Sequence, residues 1–542
     1  MALGWCLAAG SAALAQFTGF QNKGLVAVGR LSGESFDALG PQVDSLGGIF
    51  SGAAFEVGSW AQTGDAATGW TYRGRLRCAP DRNVGSVDFH PRVHTLNIEV
   101  TPYFGTATVA QTQIILNVAA TQVLTTNGTT TLTGATANDA TQPLYPKSTS
   151  GSVGQGRRSM DCEGISLTRD GGCFLCDEYG AFVFRFDAAG VLVATLSPPA
   201  AWIPRIGAAY GSRTVDFSGN TTPTSGRKVS SGLEGVAVSP DERRLFAILQ
   251  SPLMQDHGGD AASRNTRLLV FDIAAGSPTR YLPIAEYVYQ LTLNGNEAGT
   301  RQTLASDMVA INGHQLLVIE RDARGRNGSA SSAMLYKRLV LIDTDGATNL
   351  AGTGYDLEAG APGQTNLPLN ALPSGITPVA RQDLVDMLDA AQLGKFGLNL
   401  NATTPTTNTI LEKWEAMTLM PLNDPATPSD YLLLVGADND FRSSTVYHNG
   451  IVVGTNSATT LTDHLLLAWR VTLPGLAFNA VPTLSIAQEG ATLRLTWPYG
   501  FPHYDLQTSA TLIDPWETVP VPANPLTQQM NEPKRFFRLH EP

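Results

Sequence analysis

Two dipeptides of one type, Glu163-Gly164 and Glu234-Gly235, stand 71 residues apart, and each opens a short apolar run. A turn containing Asp170 or Asp241 follows, then a second run, Cys173 to Asp177 or Arg244 to Gln250. Weaker copies begin at Asp307-Met308 and at Trp414-Glu415-Ala416. A second polar set closes the following run in several sectors: Asp81-Arg82, Asp177-Glu178, Glu320-Arg321 and Asp438-Asn439-Asp440. Carboxylates that converge in a confined space repel one another unless a cation, an arginine or a proton compensates. Hard oxygen donors in that number suit Ca²⁺, which would also polarise an ester or phosphoryl oxygen and activate water. We therefore expect cation ligands among Glu163, Asp177, Glu178, Glu234, Asp438 and Asp440. Catalytic roles are expected at Glu163, Glu234, Glu320, Arg321 and Glu415, and substrate contacts at Asp81, Arg82 and Asn439. The competing reading is structural: such acids accept strand N–H groups and hold neighbouring sheets together, and Asp-Gly or Asp-Asn is ordinary turn chemistry.

Other chemistries find less support. There is no G-x-S-x-G elbow, and the eight histidines show no H-E-x-x-H spacing. Cys173 and Cys176 have CxxC spacing, but in a strand their side chains face opposite ways and no second pair accompanies them. Buried thiols or one disulfide are the expectation for Cys78, Cys162, Cys173 and Cys176, with Cys162 an inert thiol beside Glu163. Arg82, Arg321 and Arg442 could meet a phosphate, with the alternative that Arg321 is simply the ion-pair partner of the adjacent Glu320. The sequons at Asn127, Asn220, Asn327 and Asn401 are what a Thr- and Asn-rich chain produces by chance.

The elements that must position these acids are short strands. With 54 Gly and 32 Pro in 542 residues, turns are too frequent for long helices. Paired hairpins recurring every ~40–70 residues are the sequence mark of propeller blades. The glycines after the acids fit close approach of inner strands around a channel. Five sectors are recognisable between about residues 40 and 475, and the runs 94–135 and 465–471 supply more strands. The expected fold is all-β: a β-propeller of six blades, with seven as the alternative, and a small β-sandwich over 482–542. Trp497 and Phe537 are expected in the sandwich core, and Trp516 or Tyr499 could contact carbohydrate. Two polar stretches, about 200–232 and 350–412, read as insertions, and within the second 378–393 has helical spacing. Residues 1–15 fit a secretory signal cut after Ala15 despite lacking a positive start, so a secreted or periplasmic protein is expected. No other apolar run is long enough to span a bilayer, and the net charge of −11 works against nucleic-acid binding.

The string Asp161-Cys-Glu163-Gly-Ile … Cys176-Asp177-Glu178-Tyr179-Gly180 resembles the phytase-like, or "esterase-like activity of phytase", family. So do Gly232-Leu-Glu234-Gly-Val-Ala, Leu317-Val-Ile-Glu320-Arg321, Trp414-Glu415-Ala and Gly436-Ala-Asp438-Asn439-Asp440-Phe441, with the opening Gly47-Gly48 … Asp81-Arg82. The likeness implies a β-propeller and hydrolysis of phosphoesters or carboxylic esters. Two departures stand out: Glu415 is followed by Ala, and the Asp-Asp-Pro-Ala strings of calcium-dependent propeller phytases are absent, which weakens phytate as substrate. The end of the chain resembles the small terminal modules of exported bacterial proteins of the Verrucomicrobia type. Two functional expectations follow, a Ca²⁺-dependent ester hydrolase or a non-catalytic propeller binding a ligand, glycan or protein at the cell surface. A lactonase-type enzyme would use the same acids.

Overall fold

The computed structural model describes residues 17–541 apart from 66–68, 83–86, 138, 140–144, 219–220, 297–298, 329–332, 479–480, 499, 502–503, 514, 521 and 532–533. The leader at 1–15, Asn220 and Tyr499 lie outside the described residues. Short apolar runs broken by turn residues build four-stranded antiparallel sheets, each a blade. The first blade comprises Gly52–Phe55, Gly69–Ala79, Arg92–Val100 and Ile114–Val123. The second comprises Cys162–Leu167, Cys173–Asp177, Val183–Phe186 and Leu192–Leu196. Leu233–Val238, Arg244–Leu249, Asn265–Asp272 and Pro283–Gln290 form the third. The fourth is Leu304–Ala310, Gln315–Arg321, Lys337–Asp343 and Ala380–Asp386. Trp414–Pro421, Asp430–Ala437 and His464–Thr472 form the fifth, completed by the N-terminal strand Gln21–Leu31.

Each blade's inner strand packs on the next, and the fifth packs back on the first, so the ring is closed. Among the described residues it therefore has five blades, not six. The strands counted toward a sixth are outer strands: 92–123 complete the first blade, and 464–472 pair with both 430–437 and the N-terminal strand. That last pairing joins the two ends of the ring, and one parallel bridge, Gly29 to Ile114, continues it into the first blade.

The glycines after the acids are needed for close contact between the inner strands of neighbouring blades. A Cβ on Gly164 would lie 2.9 Å from the Gly235 Cα, and one on Gly235 would lie 2.8 Å from the Ser306 carbonyl oxygen. Both obstacles are backbone and cannot rotate away. Gly164→Ala is therefore expected to destabilise the protein by roughly 2 kcal/mol, as overpacking does, read as a lower midpoint in urea unfolding.

The stretch 378–393 is a strand, Ala380–Asp386, followed by one helical turn, Ala390–Gly394. Pairing with Lys337–Asp343 overrides the helical spacing, so the expected insertion contains the fourth blade's outer strand. After residue 482 two three-stranded antiparallel sheets form, 485–489/492–496/526–529 and 517–518/505–509/536–540. Leu495 and Leu506 are their most buried side chains, whereas Trp497 and Phe537 are only half-buried. The four described cysteines are buried free thiols, Cys162 among them. Burial pushes Cys162 well above the ordinary thiol range. No helix among the described residues is long and apolar enough to cross a membrane.

Candidate metal centre

A β-bulge delivers the acid to the axis in four of the five blades. The inner strand carries one extra residue between Cys162 and Ile165, Leu233 and Gly235, Ala305 and Met308, and Trp414 and Ala416. Glu163, Glu234, Asp307 and Glu415 sit at these irregularities, where a bulge turns a side chain out of the pleat. In the first blade Ser51 takes the equivalent place before Gly52, and its hydroxyl donates to the Gly48 carbonyl at 3.0 Å.

The four acids have different surroundings. Asp307 is held by backbone: its carboxylate accepts N–H groups of Met308 and Met417, each at 2.8 Å, and of Ala53. Those donors belong to the fourth, fifth and first blades, so Asp307 fastens the ring. Glu415 accepts from the Arg321 guanidinium at 2.5 Å, and Arg321 also reaches Glu412 at 2.7 Å and the Ser306 hydroxyl at 3.2 Å. Glu234 accepts from the Gln250 amide at 2.6 Å. Glu163 is buried, and among the described residues no N–H or O–H donor reaches its carboxylate.

Asp161, two residues before Glu163, completes the centre. Its Oδ2 takes the Arg82 Nε–H at 2.7 Å, while its Oδ1 is buried with no hydrogen-bond donor among the described residues. One oxygen each from Asp81, Asp161 and Glu163 lie within 4.8 Å of one another. Three carboxylates this close, with Asp161 Oδ1 buried and unserved, are costly without a compensating charge. Burial, then the neighbouring Asp161 charge, pushes Asp81 up to about 7. Burial pushes Asp161 up to about 6, even against Arg82. Glu163 is driven well above the carboxylate range by burial and by the charges of Glu234 and Asp81.

The other expected site residues divide by the side of the strand they occupy. Glu178 faces the cluster, near Arg227, Arg82 and Asp81, and its pKa is raised chiefly by burial. Asp177, one residue earlier, faces away and accepts the N–H groups of Asp161 at 2.9 Å and Gly180 at 2.7 Å. Arg321 faces the cluster, but its partners are Glu412 and Glu415, not Glu320. Glu320 is buried between the third and fourth blades, accepting from Tyr289, from Thr292 N–H at 2.7 Å and from Thr303 Oγ1 at 2.5 Å. It forms no part of the mouth. Asp438 is buried near Lys413 and Glu415, and Asp440 lies at the rim 3.3 Å from Lys413. Asn439 is fully buried and ties the loop to the Thr462 carbonyl at 2.9 Å.

Four members of the cluster were not expected: Asp161, Glu412, Lys413 and Arg227. Asp161 and Lys413 share one signal, a position two residues before the repeated acid. Arg227 comes from the long loop 200–232, whose sequence carries no repeat. Eight carboxyl groups (Asp81, Asp161, Glu163, Glu178, Glu234, Glu412, Glu415 and Asp438) face four cations, Arg82, Arg227, Arg321 and Lys413.

Because the folded pKa values of Asp81 and Asp161 lie at about 7 and about 6, the folded cluster holds protons that the unfolded chain has already released. Stability of the cation-free protein therefore falls as pH rises between about 4 and 7. Asp81 keeps part of its surface in water and contributes less than its shift suggests. Thermal melts in chelator at about pH 5 and about pH 8 are expected to differ by roughly 5 °C in favour of the lower pH, and Ca²⁺ should remove the gap.

Comparison with known proteins places the same residues in context. The family model described as phytase-like, esterase-like activity of phytase, matches residues 68–441, from the second strand of the first blade to the rim of the mouth. A protein of Arthroderma benhamiae described as an uncharacterized secreted protein is 27% identical over 469 residues, covering 78% of this chain and 87% of its own. Among solved structures, the calcium-binding protein regucalcin of Agrobacterium tumefaciens matches at 10% identity and a TM-score of 0.28, covering 85% of this chain and 99% of its own. The Malassezia sympodialis allergen Mala s 1 matches at 10% identity and a TM-score of 0.27, covering 73% of each chain.

Proposed function

The chain belongs to the phytase-like family, and from that premise we propose that it is a secreted, cation-dependent hydrolase of phosphoesters or carboxylic esters, acting at the acidic mouth of the propeller channel. The observation that carries this reading is the Asp81–Asp161–Glu163 triad, in which Glu163 is a buried residue and Asp161 Oδ1 is buried without a donor among the described residues. All the donors are hard oxygens of a flexible-geometry set, which fits Ca²⁺ better than a thiophilic ion. The secreted description of the Arthroderma benhamiae relative supports export.

In this reading Asp81, Asp161 and Glu163 hold the cation. A cation there supplies Lewis-acid polarisation of an ester or phosphoryl oxygen. Arg82, fixed by Asp161 and 5.0 Å from the Tyr179 ring centroid, brings to the mouth a positive charge that would attract an anionic substrate. Burial and the charges of Glu178 and Glu415 push the Glu234 pKa well above the usual carboxylate range, which favours its protonated form. It is the acid placed to protonate a leaving oxygen. Lys413, held charged by Glu415 and Asp438, limits repulsion among the remaining acids.

Turnover of p-nitrophenyl phosphate and p-nitrophenyl acetate, with Ca²⁺ and after chelation, tests the reading. At least one substrate should turn over, lose activity in chelator and regain it with Ca²⁺. No turnover of either by Ca²⁺-loaded protein would sink it, and tight Ca²⁺ binding without turnover would favour a non-catalytic binding propeller.

A further inference from the structure

We infer that a second site on the same face, distinct from the acidic triad, binds a compact oxyanion between Arg30, Arg326 and Arg442. The three line one cavity of about 570 Å³, within the range of ~300–1,000 Å³ usual for small-ligand sites. They arrive from separate elements: Arg30 from the N-terminal strand of the fifth blade, Arg326 and Arg442 from the loops after the second strands of the fourth and fifth blades.

Arg30 and Arg326 are held by neutral acceptors, and no carboxylate is hydrogen-bonded to any of the three guanidinium groups among the described residues. Arg30 donates from Nε to Gln111 Oε1 and from Nη2 to the Thr407 carbonyl, both at 2.8 Å. Arg326 donates from Nη2 to the Leu461 carbonyl at 2.6 Å. Arg442 Nε is buried with no acceptor, and Asp440 stands 4.0 Å from its Nη2. Two acids also line the cavity, and Asp463 attracts both Arg30 and Arg326 without a hydrogen bond to either. Glu34 accepts the Ser444 N–H at 2.6 Å and its hydroxyl at 2.7 Å, and Asp463 accepts the Gly33 N–H at 3.0 Å.

Neutral anchors of this kind aim the Arg30 and Arg326 guanidinium groups, and the three arginines of the lining outnumber its two acids. Burial lowers the Arg30 pKa, opposed by Asp463 and aided by repulsion from Arg326, so the two cations sense each other. An oxyanion would relieve that repulsion and accept the spare N–H forks, for which phosphate and carboxylate groups have matching geometry. Threonine hydroxyls at 406, 407, 459, 460 and 462 add neutral polar walls.

This site requires neither the cation nor catalysis, so it can be tested apart from them. Inorganic phosphate and citrate would be titrated calorimetrically into the full chain in chelator. Saturable binding at one site per chain is expected for at least one of them, and the preferred anion distinguishes a phosphoryl from a carboxylate ligand. Arg326→Gln/Arg442→Gln should weaken binding by about tenfold or more, because charge-assisted hydrogen bonds are lost. Glu163→Gln should leave it within about twofold, since additivity holds for separate sites. Should the double variant fail to fold, Arg442→Gln alone, on a side chain that is 34% exposed, must still bind more weakly. Absence of saturable binding to the wild type, or unchanged binding in a folded arginine variant, overturns the inference.

Discussion

Glu163→Gln is expected to lower Ca²⁺ affinity by about 100-fold or more, since affinity in oxygen sites follows ligand charge, and to stabilise the cation-free protein at about pH 8. The two effects share one cause. Glu163 is a buried carboxyl with no donor among the described residues and with Glu234, Asp81, Glu178 and Asp161 as like-charged neighbours. Charging it in the empty site costs free energy, and that same charge is what a cation would use. The amide of Gln keeps the volume, carries no charge and can donate to Asp161 Oδ1, which lacks a donor. The gain in chelator should be about 1–2 kcal/mol, or one pKa unit's worth of relieved repulsion. Calorimetric Ca²⁺ titration and urea unfolding in chelator read the two halves separately. A variant that loses stability in chelator would mean that Glu163 is held by contacts of its own.

Asp307→Ala is expected to do the reverse, with a loss of roughly 3–5 kcal/mol and no more than a small change in Ca²⁺ affinity. Its carboxylate serves Met308, Met417 and Ala53 N–H groups from three blades, and removal leaves buried donors unsatisfied. An unpaired buried N–H costs about 1–3 kcal/mol, and more is lost when its partner was charged. Asp307→Asn retains one acceptor oxygen and should lose less. Equilibrium urea unfolding measures the difference. If instead Asp307→Ala unfolds normally and abolishes Ca²⁺ binding, the division between fastening acid and ligand acids is wrong at this position.

Much of this was readable from residue order. The Glu-Gly repeat marks the inner strands at Glu163 and Glu234, and the requirement for Gly164 and Gly235 follows from backbone contact between the inner strands of neighbouring blades. The blade number was not readable, because the N-terminal strand Gln21–Leu31 closes a blade whose other strands lie some 400 residues later. A sequence has no mark for a strand borrowed from the far end of the chain. The side on which an acid falls was also hidden. In Asp177-Glu178 and Glu320-Arg321 adjacent side chains point opposite ways, so one faces the mouth and the other the blade interior. A one-residue bulge reverses that assignment, and bulges appear only in the register. Hence Asp177 and Glu320 read as site residues but serve the frame, while Asp161 and Lys413, unremarked, stand at the mouth.

The central claim is that Asp81, Asp161 and Glu163 hold one divalent cation. A crystal structure of protein grown with Ca²⁺, recorded with anomalous data, tests it most directly. The account predicts one strong anomalous peak with oxygens of all three residues at about 2.3–2.6 Å, as Ca²⁺ coordination requires. Clear density for these carboxylates with no ion between them, at saturating Ca²⁺, would contradict it.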